Sequence, residues 1–335
     1  MHGVVHFWHA GSHKRIGCDM TGVQQALLMA GQSWIDPTWA QAAAPSARWA
    51  TTSYGNGVFM GGGVNTVTGN ATAMYSLDYG QTWIASPTVF STGGYGFALY
   101  RVAFGNGVFV AGIGIGMQIS SDGINWSSVG LVADGHIEFG NGVFISSNVN
   151  TNICKRSTTG GTWTTIPLPN SDTWGGVGFG NTGPTGTWIV FSNTGCAISA
   201  DGGLTWTPGG VLPFPSNINS AAYGNGVWVA TPNLLSTVVY RSSTNGASWA
   251  SHFVTSPNTV WQRVRFINGT FYMMSNGGAR NVKSTDGITW TPCNSTVNTP
   301  SFSMDYDVCA LPTGVRYVAV GNGGSNTTVT NYGIG

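Results

Sequence analysis

The chain has 335 residues, of which only 7% are charged, and its 12 Lys and Arg nearly balance its 11 Asp and Glu. A typical soluble domain has about 25% charged residues, so the polar surface here must consist mainly of Ser, Thr, Asn and Gly. The sequence has no basic stripe of the kind that binds nucleic acid and no apolar run long enough to span a membrane. We therefore expect that the protein does not bind nucleic acid and does not span a membrane.

Residues 1–31 precede the repeats that fill the rest of the chain and form a separate predicted segment, an N-terminal arm with a short capped helix before Gly31. Histidines spaced 4, 3 and 4 apart would share one helical face, where imidazoles can bind a transition metal. Glycines and β-branched residues make this stretch a poor helix, so we favour an arm that docks against a partner and expect no metal or other cofactor. The four histidines are His2, His6, His9 and His13.

The N-terminus also lacks the basic region and apolar core of a secretion signal, although the surface composition suits an extracellular protein. One way to reconcile these features is synthesis in a host cytoplasm followed by release as part of a virus particle.

A tight turn followed by Trp recurs six times with the pattern Ser-x-Asp-(x)-Gly-x-Thr-Trp, and we call it the Asp turn. The Asp side chain accepts hydrogen bonds from the N–H groups of the turn, and Gly adopts the backbone angle that other residues resist. Two copies lack the Asp, and Thr159 and Asn245 are interpreted as its replacements. The copies end at Trp83, Trp126, Trp163, Trp206, Trp249 and Trp290.

A second repeat, aromatic-Gly-Asn-Gly-Val-aromatic, alternates with the first and begins at Tyr54, Phe104, Phe139 and Tyr223. Asn-Gly between alternating apolar residues predicts a β-hairpin. Weaker versions begin at Phe179, Phe266 and Leu311. Each unit therefore has two strands joined by an Asn-Gly turn and two joined by an Asp turn, which makes four antiparallel strands.

A period near forty residues with four strands per unit is typical of a β-propeller blade. Six units are predicted within 47–293, and the segment 32–37 around Trp34 resembles half of another unit. Three C-terminal strands, within 306–332, lack a following Trp strand. The sequence therefore predicts an all-β, seven-bladed β-propeller over 32–335, closed when the Trp34 strand joins the C-terminal three.

The strand before each Asn-Gly turn is predicted to be innermost, so its polar residues should line the central channel. For any one of them, structural ion pairing is the alternative interpretation. The candidate binding residues are Arg101, His136, Glu138, Trp174, Arg263, Arg265 and Asp307, with Arg48, Asn219 and Asp305 on the same strands. Aromatic candidates for stacking on sugars, with core packing as their alternative, are Trp39, Tyr95, Trp174 and Trp261. Five cysteines, without zinc-site spacing, are predicted to be free buried thiols: Cys18, Cys154, Cys196, Cys293 and Cys309.

The Asp turn resembles the Asp-box, or BNR repeat, of sialidases, sortilin-type receptors, photosystem assembly factors and many bacteriophage tail proteins. The resemblance covers six full copies and a half copy and implies the fold, but not a function. A resemblance to sialidases in particular would imply an Arg-Ile-Pro motif, an arginine triad, a Tyr–Glu nucleophile pair and an Asp acid. Here Arg15-Ile16 is followed by Gly17, and Glu138 is the only glutamate, so no catalytic residue is predicted.

The leading hypothesis is a non-enzymatic bacteriophage virion protein, of a tail, fibre or surface appendage, whose propeller binds a host-surface glycan or receptor. Its partners would be other virion proteins, through the N-terminal arm, and host-surface carbohydrate. Two alternatives remain: a capsid decoration or connector subunit with no small ligand, and a sialidase-like glycoside hydrolase.

Overall fold

The computed structural model describes residues 38–90, 99, 101–113, 116–130, 136–147, 152–170, 172, 174–235, 237–254, 260–267, 269–276, 281–293, 303–311, 314–323 and 327–334. Within strands, the side chains of 38–41 and of nearly all residues from 303 onward are outside this description. The predicted N-terminal arm, its helix and histidines, Trp34, Tyr95 and Cys18 also lie outside the described residues.

The first strand, β1 (Thr38–Ala43), belongs to a composite sheet described below. Six further sheets, which we number blades 1 to 6, each consist of four consecutive antiparallel strands from one continuous stretch of chain. Blade 1 comprises β2 (Arg48–Gly55), β3 (Val58–Val64), β4 (Ala71–Ser76) and β5 (Ile84–Ala85). Blade 2 comprises β6 (Arg101–Gly105), β7 (Val108–Ile113), β8 (Gly116–Ser120) and β9 (Ser127–Ser128). Blade 3 comprises β10 (His136–Gly140), β11 (Val143–Ser147), β12 (Ile153–Ser157) and β13 (Thr164–Pro167).

Blades 4 to 6 repeat this plan, with the first strand of each blade innermost. Blade 4 comprises β14 (Trp174–Gly180), β15 (Thr187–Ser192), β16 (Gly195–Ser199) and β17 (Thr207–Val211). Blade 5 comprises β18 (Ile218–Gly224), β19 (Val227–Pro232), β20 (Val238–Ser242) and β21 (Ala250–Phe253). Blade 6 comprises β22 (Val260–Ile267), β23 (Thr270–Asn276), β24 (Val282–Ser284) and β25 (Thr291–Pro292).

The two ends of the described chain share the composite sheet, in the order β1, β28 (Thr327–Ile334), β27 (Gly314–Gly323) and β26 (Ser303–Leu311). Strand β26 contacts both β2 and β22, so this sheet lies between blades 1 and 6, and the innermost strands follow one another in a ring. The chain therefore has a β-propeller fold.

The predicted blade count is corrected by this topology. The structure has six, not seven, four-stranded blades of the repeating kind. In each of them one stretch of chain supplies all four strands and an Asp turn. The composite sheet takes its outer strand from the N-terminal side, but that strand is β1, which starts four residues after Trp34. It pairs with β28 from Thr38 opposite Ile334 to Ala43 opposite Val329.

The Asn-Gly hairpins have the backbone geometry that their sequence predicts. Asn56 and Gly57 have φ values of 50° and 84°, and positive φ at both central residues is the requirement of a type I′ turn. The same asparagine joins two blades, because its side-chain amide donates to the carbonyl oxygens of Gly107 (2.8 Å) and Ser121 (2.7 Å) in blade 2. Equivalent bonds run from Asn106 to Gly142 and Thr158, from Asn141 to Pro184, and from Asn225 to Gly269 and Thr285.

Each Asp turn is closed by its own side chains. In blade 2 the N–H groups of Ile124 and Asn125 both donate to Asp122 Oδ1 at 2.8 Å, and Ser120 Oγ donates to the same oxygen at 2.9 Å. Burial raises the pKa of Asp122, but these hydrogen bonds and one from the Asn125 side chain outweigh it and lower that pKa to about 2.

One assignment within the Asp turns is corrected by these contacts. In blade 5 the N–H of Ser248 donates to Thr244 Oγ1 at 2.9 Å, so Thr244 replaces the Asp. Asn245 is instead the extra residue with positive φ, as Tyr79 is in blade 1.

Neighbouring blades share hydrophobic cores. Trp188 of blade 4 is fully buried in a cluster that includes Ile145 and Cys154 of blade 3, and Trp206, from the Asp turn of blade 4, completes that cluster. Cys196 is also buried, whereas Cys293 is half-buried. The described part of the chain has no helix long and apolar enough to cross a membrane.

Candidate functional site

The innermost strands of the six blades present two layers of residues at fixed distances from the hairpin turns. Residues two positions before the last residue of each strand form the mouth layer, and residues four positions before it form the floor layer. The mouth layer comprises Ser53, Ala103, Glu138, Gly178, Ala222 and Arg265. The floor layer comprises Thr51, Arg101, His136, Gly176, Ser220 and Arg263.

A cavity of about 360 Å³ opens at the hairpin-turn end of the channel. It is lined by residues from the innermost strands of all six blades, and its only charged lining residues within the described chain are Glu138 and Arg265. Three of the mouth positions that line the cavity, Ser53, Ala103 and Ala222, carry small side chains, which leave the centre open. The cavity is therefore a consequence of small residues in this layer.

Six half-buried aromatic rings surround the cavity, and we call them the collar. Each ring packs against an aromatic residue of the next strand in its own blade, as Phe139 does against Phe144, with ring centroids 4.7 Å apart. Phe139 also lies against Gly105 of the preceding blade, where a β-carbon would overlap its ring. The collar is thus fixed before any ligand binds. Its members are Tyr54, Phe104, Phe139, Phe179, Tyr223 and Phe266.

The floor layer crosses the channel beneath the cavity. Arg101 of blade 2 donates from Nη2 to the backbone carbonyl of Asn219 in blade 5 at 2.9 Å, a bond that spans the ring. Arg263 of blade 6 reaches Thr51 Oγ1 of blade 1 at 3.5 Å. The two guanidinium groups therefore brace strands that are not neighbours, across the channel beneath the cavity.

His136 occupies the floor layer together with these arginines. Burial lowers the pKa of His136 well below its usual value, and the positive charges of Arg101 and Arg263 lower it further. The imidazole is therefore neutral at pH 7. Arg101 and Arg263, two of the four arginines that the sequence placed on innermost strands, lie close to this histidine.

Among the described residues, Glu138 is the carboxylate that faces the cavity. Its one hydrogen bond within the described chain is from the N–H of Phe139 to Oε1, at 3.4 Å, and among these residues it forms no ion pair. A half-buried carboxylate with so little satisfied acceptor capacity can accept further hydrogen bonds from a ligand.

In blades 1, 4, 5 and 6 the position six residues before the end of the innermost strand does not face the channel, which corrects the placement of Trp174. The register of β14 shifts between Trp174 and Val177, and such a bulge turns the preceding residue to the other face of the sheet. Trp174 is consequently 1% exposed, with its indole N–H donating to Asn170 O at 3.0 Å. Trp49, Ile218 and Trp261 precede equivalent bulges and are equally buried.

The remaining candidates are dispersed. Arg48 is exposed at the end of β2 far from the turns, and Asn219 is buried, donating its side-chain amide to Trp261 O at 3.0 Å. The side chains of Trp39, Asp305 and Asp307 lie outside the description. Among the described residues, no group of three or more His, Cys, Asp or Glu could hold a metal ion.

The collar was not predicted from the sequence as a lining element. Its members were noted only as the residues that start each Asn-Gly repeat. Counting back by two from the strand end would have identified the mouth layer, because the side-chain period of a strand is two.

No family model and no curated protein matches the sequence. Solved structures of low sequence identity share the β-propeller fold. A structure described as YCF48 bound to D1 peptide has a TM-score of 0.63 and 16% identity, and covers 91% of this chain and 96% of its own. YCF48 from Cyanidioschyzon merolae has a TM-score of 0.60 and 15% identity, covering 89% of this chain and 98% of its own. Selenomethionine-substituted virginiamycin B lyase from Staphylococcus aureus has a TM-score of 0.64 and 12% identity, covering 89% and 99%.

Proposed function

We propose that the protein is a non-enzymatic structural protein of a bacteriophage virion, in a tail, fibre or surface appendage, and that it binds a host-surface carbohydrate in the cavity at the hairpin-turn end. The virion assignment is supported by the resemblance of the Asp turn to the Asp-box of phage tail proteins and by the nearly uncharged surface.

The single observation that carries the binding proposal is the composition of the cavity. Fixed aromatic rings surround the carboxylate of Glu138 and the guanidinium group of Arg265, and much of the remaining wall is made of small residues. Sugars match this arrangement because their C–H faces pack on aromatic rings while their hydroxyl groups form hydrogen bonds.

The same composition favours binding over hydrolysis. Glycoside hydrolases generally use a pair of carboxyl groups that flank the scissile bond. Within the described lining of the cavity, Glu138 is one such group and has no carboxylate partner.

A second candidate function is binding of a protein segment in the same cavity. It is favoured by the comparison with YCF48, because that structure is described as bound to a peptide. Half-exposed collar rings would then contact apolar side chains of the segment.

The test is a glycan array probed with the full chain and with two variants that each convert one carboxylate to an amide. Glu138→Gln changes the cavity, whereas Asp122→Asn changes an Asp turn outside it. We expect binding by the wild type and Asp122→Asn, and strongly reduced binding by Glu138→Gln. Binding to immobilised envelope protein but to no glycan would favour the second candidate.

A further inference from the structure

Within the part of the channel that the structure describes, the cavity opens at the hairpin-turn end. Most of its lining residues lie at the level of the mouth layer or closer to the turns, and the deeper ones are Ser220, Val102, Ala221 and Val264. The Arg101–Asn219 and Arg263–Thr51 contacts cross the channel beneath. A polymer cannot thread through such a site, so a chain can enter only by its end.

The size of the cavity limits how much of a chain can enter. Its volume of about 360 Å³ is near the lower limit of small-molecule pockets, roughly 300–1,000 Å³. This space accommodates one or two sugar rings. Further units would have to lie outside the collar and contribute little to binding.

The two charged side chains of the described cavity lining, Glu138 and Arg265, have opposite signs, so the lining has no net charge that would favour an ionic ligand. Glu138 offers open acceptor sites, which both hydroxyl groups and cations could use. The guanidinium groups of Arg101 and Arg263 lie deeper in the same channel, where their positive charges oppose the entry of a cationic ligand. Hydroxyl groups are therefore the better match.

Building on the function proposed above, we infer that the cavity binds the non-reducing end of a neutral surface glycan, to a depth of one or two sugars. Surface glycans are attached through their reducing ends, so the non-reducing end is the one presented to an approaching protein. Adjacent hydroxyl groups of the terminal sugar donate to the two oxygens of Glu138, and its ring packs against the collar.

The experiment is calorimetric titration of the full chain with neutral homo-oligosaccharides of one to six units, from glucose, galactose, mannose and N-acetylglucosamine. Each tetramer is also tested with its non-reducing end blocked by a 4,6-O-benzylidene group, and with a fluorophore at its reducing end instead. We expect affinity to rise up to two units and then level off. The block at the non-reducing end should weaken binding tenfold or more, and the reducing-end fluorophore should not.

Variants separate the role of Glu138 from the general fold. Glu138→Gln should weaken binding about tenfold or more, since hydrogen bonds to a charged acceptor are the stronger ones, whereas Asp122→Asn should bind as the wild type does. Affinity that keeps rising beyond three units, or equal binding of blocked and free tetramers, would overturn end-on binding while leaving carbohydrate binding intact. No binding to any sugar would overturn both.

Discussion

The ring of Phe104 lies where a β-carbon on Gly55 would be, so the collar residue of blade 2 and the glycine that ends β2 in blade 1 fit only as a pair. The same relationship links Gly105 to Phe139 and Gly140 to Phe179. It explains why an aromatic residue and a glycine are adjacent in the repeat: each contributes to a different contact between blades.

We therefore predict that Gly105→Ala destabilises the protein. The added methyl group would displace the Phe139 ring, and overpacking of this kind costs about 1–3 kcal/mol of unfolding free energy. The matched control is Gly161→Ala, where a β-carbon would meet only Thr159 Oγ1 at 4.0 Å. Urea denaturation of both variants checks this, and equal stabilities would show that the ring and the glycine are not tightly packed.

A second prediction concerns the asparagine bonds between blades. Asn106→Asp keeps the shape of the side chain but replaces the amide that donates to Gly142 and Thr158 with a carboxylate, which faces two carbonyl oxygens. We expect a loss of about 1–2 kcal/mol at pH 7, given the modest net value of exposed hydrogen bonds. Asn181→Asp in blade 4 is the control, because that exposed side chain makes no such bond within the described chain. A similar loss in both variants would contradict the assignment.

The repeats explain why the fold could be predicted and why the site could be predicted only in part. Asn-Gly and Asp turns are local signals, so strand order and blade boundaries follow from them. Trp174 was misplaced because a bulge reverses strand alternation. The pair Gly175-Gly176 inside the strand is a local signal of such a bulge, but it does not by itself fix which face Trp174 takes. The bond from Arg101 to Asn219 joins residues 118 positions apart and depends on the curvature of the ring, which no local pattern specifies.

The third prediction is that acid destabilises the protein through the Asp turns. The pKa values of Asp122, Asp201 and Asp286 are about 2, although burial raises them, because hydrogen bonds to the carboxylates prevail. An unfolded Asp has a pKa of about 3.9. The stabilisation is therefore present above about pH 4 and is lost as the pH falls from there towards 2.

The measurement is the urea midpoint as a function of pH from 6 to 2, for the wild type and for Asp286→Thr. Threonine already occupies the equivalent position in blades 3 and 5, so this variant should fold. It should lose less stability on acidification than the wild type does. An unchanged pH dependence would mean that the turn carboxylate is not responsible.

The fourth prediction concerns His136. Burial lowers its pKa most, and Arg101 adds to the effect, so Arg101→Met should raise the pKa of His136. The matched control is Arg241→Met. Burial is the largest cause that lowers the pKa of His252, and the positive charge of Arg241 is the second. NMR titration of the imidazole protons, assigned with His→Gln variants, should show each substitution shifting only its own histidine.

The same substitution should alter the pH dependence of stability. With a folded pKa below the unfolded value of about 6.5, His136 makes the wild type less stable as the pH falls below that value. Arg101→Met should reduce this loss. If the His136 signal titrates identically in both proteins, the two side chains do not share the floor layer.

The most direct measurement of the proposed site is a crystal structure of the chain with the tightest-binding neutral oligosaccharide. We predict density for the terminal sugar inside the collar, with two hydroxyl oxygens about 2.7 Å from the carboxylate oxygens of Glu138. Density for the sugar at the outer edges of the blades or at the opposite end of the channel, with the collar unoccupied, would contradict the proposal.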